Sequence, residues 1–174
     1  IIQECGTIFS GIVPGHYPVS ETMKKYFKQV NDAQSKLFGN SCVNSSSKNI
    51  KLLPILSGDL NKCSLTFLSD FLKSDIYVVF GSSYIKGELV DYLVKQKAIN
   101  IHMGVSPYYR GTDCNFWALY DNNPHLVGAT IHMLSKGLDS GPMLYHAMSN
   151  IRTNPFEYTM STVKSAFHSI SERI

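Results

Sequence analysis

At 174 residues and 44% hydrophobic content the chain can bury one globular core, which argues against a disordered chain. A net charge of +3, from 16 Lys and Arg against 13 Asp and Glu, is too small a surplus to require nucleic acid or an acidic membrane as partner. Its four cysteines, Cys5, Cys42, Cys63 and Cys114, show neither zinc-finger nor disulfide-framework spacing, so reduced thiols are expected, with a bridge between Cys42 and Cys63 as the open alternative. No apolar run approaches the about 20 residues of a membrane span, and no signal-peptide pattern opens the chain. A cytoplasmic protein with no membrane partner is the expectation. The start, Ile1-Ile-Gln-Glu-Cys5 without methionine, reads as an amino-terminally incomplete single domain.

In chain order, residues 1–5 read as a short strand and 6–18, with Gly11, Pro14, Gly15 and Pro18, as loop. Ser20 caps a helix on which Met23, Tyr26, Phe27, Val30, Ala33, Leu37 and Phe38 recur at helical spacing up to Gly39. A polar loop over 40–49 precedes a strand over 50–56, interrupted by Pro54, and a helix over 60–72. The apolar run 76–80 has the pattern of a parallel strand covered on both faces. A helix over 87–95, a strand over 98–103 and a helix over 112–120 follow. The alternating run 127–134 pairs with a strand over 142–148 across a 137–141 turn, and Pro155 opens a closing helix. Strands alternating with helix-length connections imply an α/β, Rossmann-like, mostly parallel twisted sheet with helices on both faces.

The chemistry concentrates in Asn100-Ile-His102 and the turn Gly137-Leu-Asp-Ser-Gly-Pro142. Asn100 and His102 are two residues apart on a strand, so their side chains leave the same face. Pro107 to Gly111 cannot continue the strand, which puts the pair at a strand's carboxyl end, where open α/β sheets bind ligands.

At Asn100-x-His102, Pro107-x-Tyr109-Arg-Gly111, Gly128-x-Thr130 and Leu138-Asp-x-Gly141 the chain resembles the amino-terminal catalytic domain of folate-dependent formyltransferases, most clearly over 75–147. That family includes enzymes acting on glycinamide ribonucleotide, on methionyl-tRNA and on sugar amines. The resemblance implies Asn100, His102 and Asp139 as catalytic residues and 10-formyltetrahydrofolate as formyl donor, with no metal. It places the folate pocket on Phe80, Gly81, Ser82, Ser83, Tyr84 and Ile85 and on Leu138, Ser140 and Gly141. At the first segment the chain departs from the family, having Gly81-Ser82 where a glycine-aromatic pair is usual. The family's first strand and the acceptor loop after it are expected to be missing.

Formyl transfer to an amine develops negative charge on a carbonyl oxygen and positive charge on the attacking nitrogen. The resemblance implies that the Asn100 NH2 and a charged His102 face the oxyanion while Asp139 holds the imidazole and favours its charged form. Ser106, Tyr109, Arg110, Gly111 and His132 are the expected acceptor-side residues, with Arg110 suited equally to an anionic group of substrate or folate tail and to buttressing a loop through carbonyls, and His132 to the pocket wall or a plain strand position. His16, His125, His146 and His168 read as surface residues, and Phe116 and Trp117 as helix packing. A small-molecule amine acceptor follows, an amino sugar or sugar nucleotide from the likeness around Tyr109-Arg-Gly111 and Asn115-Phe-Trp117, with tRNA disfavoured by the weak charge and a homodimer as one assembly. Hydrolysis of the donor and a non-catalytic role are the alternatives.

Overall fold

The computed structural model describes residues 1–5, 20–39 and 49–174. The loop reading over 6–18 and all but the last residue of that over 40–49, with His16 and Cys42, lie outside the described residues. Strand β1 (Ile2–Cys5) pairs in parallel with β2 (Leu53–Leu56), and helix α1 (Glu21–Phe38) lies between them in sequence. Ser20 caps α1 as read, its hydroxyl accepting from the Met23 N–H at 3.2 Å.

The helix expected over 60–72 is broken. A 3-10 turn at Asp59–Lys62 ends at Cys63, which is extended, and the extended Ser64 then caps a single helical turn, α2 (Leu65–Leu68). Two caps inside one window leave no room for a continuous helix. Cys63 carries a free thiol directed to the Asp59 carbonyl.

A four-stranded sheet, in the order β3 (Val78–Phe80), β4 (Ile99–His102), β5 (Gly128–Met133) and β6 (Met143–Met148), follows. Helix α3 (Gly87–Lys95) makes the crossover from β3 to the parallel β4, whereas β5 and β6 run antiparallel, the hairpin expected across 137–141. Val78 and Phe80 are exposed, so β3 is not covered on both faces as its composition suggested. It borders the sheet, and Phe80 instead meets Phe167 edge-to-face with ring centroids 4.9 Å apart.

Helix α4 (Cys114–Tyr120) precedes β5, and α5 (Pro155–Ser171) closes the chain, its first turn held by Asn154 Oδ1, which accepts from Phe156 N and Glu157 N. The alternation of β4 and β5 decides where the site can form. Ile101, Ala129, Ile131 and Ala147 face Ala166 and Ile170 of α5 and make a dry core. The intervening Asn100, His102, Thr130 and His132 leave the opposite face, with Asn100 opposite His132 and His102 opposite Thr130 in register. β5 is buried on both faces except at Met133, more than its alternation implied, because the 104–106 segment closes over its polar side, with Thr130 Oγ1 donating to Gly104 O and accepting from Ser106 N.

Candidate active site

Asp139 is the hub. Its Oδ2 lies 3.2 Å from His102 Nδ1 and accepts from the Gly111 N–H, also at 3.2 Å. Its Oδ1 accepts from Asn100 Nδ2 at 3.3 Å and lies 3.8 Å from His132 Nε2. Both motifs singled out in the sequence therefore meet on one carboxylate at the carboxyl end of β4. Asp139 adopts a left-handed φ of 44°, a conformation aspartate tolerates better than most side chains, and this turns its carboxylate back toward the sheet. Burial pushes the Asp139 carboxyl up, but the contacts with His132, His102 and the Gly111 N–H outweigh burial and hold it below the ordinary carboxylate range.

His102 is 5% exposed, and its other ring nitrogen, Nε2, sits 2.9 Å from the Tyr109 carbonyl. The ring is thus held between two acceptors. Gly104 is required beside it, because a Cβ there would come within 2.6 Å of both His102 Nε2 and Cys114 Cβ. The buried Cys114 thiol lies 3.7 Å from His102 Nε2, and burial, reinforced by the charges of Asp139 and Asp113, pushes it up to about 11. Cys114 is therefore inert at neutral pH. Brief labelling of the native protein with iodoacetamide at pH 8, read by peptide mass spectrometry, is expected to modify the exposed Cys5 and to leave Cys114 unmodified until the chain is unfolded.

The two segments assigned to the folate pocket are tied together, since the Tyr84 hydroxyl donates to the carbonyl of Lys136, just before the Gly137 turn. Ser83 is fixed from far upstream, with its N–H and Oγ donating to the Glu4 carboxylate at 2.5 and 2.7 Å, while Gly58 N donates to the same group at 2.8 Å. Burial pushes the Glu4 carboxyl up, but those three donors outweigh it and hold it below its ordinary range. Ile85 is buried in the core, whereas Phe80, Gly81, Ser82 and Tyr84 remain exposed, as do Leu138 and Ser140. Glu4→Gln is expected to cost about 1–3 kcal/mol by replacing charge-assisted hydrogen bonds, read as a lower urea midpoint at pH 7. The difference from wild type should shrink as pH falls below the ordinary carboxyl value, about 4, and through the lower folded value.

The acceptor-side residues do not converge in the same way. The Tyr109 side chain turns from the Asp139 cluster, its hydroxyl donating to Asp121 Oδ2 and accepting from Asn123 Nδ2, so only its backbone touches His102. Arg110 is exposed and makes no ion pair or hydrogen bond with a described residue, and Ser106 Oγ is buried without a partner among them. His132 is 2% exposed and belongs to the hydrogen-bond network around Asn100, not to an open pocket wall. His146 is half-buried, and its Nε2 contacts the Ser106 carbonyl, which corrects its surface reading; its place opposite Thr130 in the hairpin register explains this. Phe116 and Trp117 are about half exposed in an edge-to-face pair with Tyr120 stacked on Phe116, because Cys114, Asn115 and Ala118 take the inward face of α4. Among the described residues no group of His, Cys, Asp or Glu is arranged to hold a metal ion, and no helix is long and apolar enough to cross a membrane.

Among solved structures the chain is similar to the formyltransferase PseJ from Anoxybacillus kamchatkensis, with TM-score 0.51 and 22% identity over 83% of this chain and 70% of that one. It is also similar to glycinamide ribonucleotide transformylase 1 from Symbiobacterium toebii, with TM-score 0.55 and 19% identity over 70% of this chain and 60% of that one. At that identity they share the fold: a mixed α/β sheet with parallel pairing and flanking helices. In sequence the chain is 32% identical over 90 residues to the methionyl-tRNA formyltransferase of Thermosynechococcus vestitus and 36% identical over 96 residues to that of Thermotoga neapolitana. Those alignments take in 52% and 55% of this chain but 27% and 29% of the relatives, so the chain spans under a third of their length. Residues 68–174 match the family model described as Formyl transferase. That match takes in well over half of the chain and all of the Asn100, His102 and Asp139 cluster, and the chain belongs to the formyl transferase family.

Proposed function

We propose that the chain transfers a formyl group from 10-formyltetrahydrofolate to a primary amine. The observation that carries this reading is the convergence of Asn100, His102 and Asp139, with two N–H donors and two imidazoles gathered around one partly buried carboxylate. The donor supplies an electrophilic formyl carbon. Residues 80–85 and 138–141 suit its pterin because the bond from Tyr84 to the Lys136 carbonyl holds the first segment beside the turn that begins the second. The solved PseJ structure holds tetrahydrofolate, in keeping with such a donor.

As the amine attacks, the carbonyl oxygen gains charge and needs a preorganised donor. The Asn100 N–H now spent on Asp139 at 3.3 Å is the longer of its two bonds and the one most readily given to that oxygen. His102, held between the acceptors Asp139 Oδ2 and Tyr109 O, suits a charged imidazolium that lowers the energy of the oxyanion. Asp139 fixes the ring and relays the amine proton through water, and collapse of the tetrahedral species breaks the bond between the formyl carbon and N10 of the donor, which takes up that proton and leaves as tetrahydrofolate. Arg110, with no partner among the described residues, would meet an anionic part of the acceptor.

The acceptor is proposed to be an amino sugar or sugar nucleotide. A second reading, methionyl-tRNA, is favoured by the identity of the curated relatives. The test measures tetrahydrofolate and formate released from 10-formyltetrahydrofolate with amino sugar nucleotides, glycinamide ribonucleotide, methionyl-tRNA or no acceptor. Tetrahydrofolate released only with an acceptor supports transfer and names the acceptor. Equal formate and tetrahydrofolate without acceptor would replace transfer by hydrolysis, and no release under any condition would sink both.

A further inference from the structure

We propose that His132 is a positioning residue that sets the orientation of the Asn100 amide, an inference that rests on the formyl-transfer reading of this site. Asn100 and His132 are register partners on β4 and β5 with side chains on the same face. His132 Nδ1 lies 2.8 Å from the Met133 carbonyl, which can only accept, so Nδ1 carries the ring hydrogen. The neutral ring then presents a lone pair at Nε2, 3.0 Å from Asn100 Nδ2, and accepts one amide hydrogen. The same Asn100 atom faces a second acceptor, the Asp139 carboxylate, at 3.3 Å.

Two acceptors on one amide atom identify that atom as nitrogen. A flipped amide would set its oxygen against the Asp139 carboxylate. A hydrogen on His132 Nε2 would set donor against donor. At 3.8 Å His132 Nε2 is beyond ordinary hydrogen-bond distance of Asp139 Oδ1, so the ring acts on that carboxylate through space and its short directional contact in the site is the one to Asn100.

The shorter contact to His132 acts as the pivot, and the N–H toward Asp139 is the one left to turn to the formyl oxygen. The second motif supports this arrangement from behind. A Cβ at Gly141 would stand 1.8 Å from the Met133 oxygen that fixes the tautomer and 3.2 Å from His132 Nδ1. The bare backbone of the Leu-Asp-x-Gly turn thus packs directly on the carbonyl that holds the ring.

The test compares His132→Phe, which keeps the bulk and removes the acceptor, with His132→Gln, whose side-chain oxygen can accept. His132→Phe is expected to lower kcat about tenfold or more with donor affinity changed less than about twofold, and His132→Gln to recover most of the loss. In an Asn100→Ala background, His132→Phe is expected to cost nothing further. Losses that multiply independently would overturn the proposal, as would equal loss of kcat and donor affinity.

A readout independent of turnover is the long-range 1H–15N histidine spectrum of the free protein, with the His132 signals identified by their loss in His132→Gln. The Nδ1–H tautomer is expected at pH 7, and the Nε2–H tautomer overturns the inference whatever the two variants do to turnover. Absence of turnover in a wild-type protein that shows the Nδ1–H tautomer would count against formyl transfer and leave the amide geometry standing.

Discussion

Asp139→Asn is expected to lower turnover about 10²–10⁴-fold while changing the affinity for the folate donor by less than about twofold. Asparagine is the informative replacement, because it tolerates the left-handed φ of 44° about as well as aspartate, whereas alanine would add backbone strain. The change removes the charge that His102 Nδ1, Asn100 Nδ2 and the Gly111 N–H all address. It also sets an amide NH2 where only acceptors fit, so a stability cost of about 1–3 kcal/mol accompanies it. Steady-state kinetics and donor titration on the folded variant check the split. Equal losses in donor affinity and turnover would show that the carboxylate builds the pocket and does not act on the reaction.

The ionisation of Asp139 gives the same residue a second signature. Its folded carboxyl lies below the ordinary range, so the unfolded chain binds the proton more readily. The stability it contributes is complete above the unfolded value, near about pH 4, and is lost as pH falls through the folded value. Between pH 5 and 8 the carboxylate stays ionised and adds no slope of its own. Urea midpoints from pH 7 down to pH 3 are expected to fall more steeply for wild type than for Asp139→Asn.

The face that carries the site was legible because strand periodicity is strict: Asn100 and His102 are two apart, and Thr130 and His132 repeat the spacing on the facing strand. The hairpin from β5 to β6 was legible for the same reason, with glycines marking its turn. What could not be read is long-range. Glu4 reaches Ser83 across 79 positions, and Tyr84 reaches Lys136 across 52, and neither glutamate nor tyrosine announces its partner locally. Composition misled at 76–80, where an apolar run reads as doubly covered although its neighbours in space leave Val78 and Phe80 exposed. Tyr109 misled differently: its motif position was read through the side chain, whereas its carbonyl is what meets His102. Packing beside Ala118, Val127 and Tyr158, with the hydroxyl bonds to Asp121 and Asn123, accounts for where that ring goes.

Gly141→Ala is expected to cost about 2–4 kcal/mol and to take activity with it, for a reason unlike that of the neighbouring glycines. At Gly111 and Gly81 the requirement is conformational, with φ of 96° and 59° and no closer neighbour than Leu138 Cδ2 at 4.0 Å from a Cβ on Gly111. A side chain there costs about 1–2 kcal/mol of left-handed strain. Gly141 has no left-handed φ; its constraint is space, because a Cβ would stand 1.8 Å from the Met133 carbonyl oxygen and 2.9 Å from its carbon. Both are backbone at the end of β5, so no rotamer change relieves the contact. The turn must move away, and with it go the Met133 N to Pro142 O bond of the hairpin and the Asp139 carboxylate two residues earlier. Urea denaturation of Gly141→Ala beside Gly111→Ala separates the two causes. Equal losses in the two variants would mean that the close approach at Met133 is relaxed at little cost.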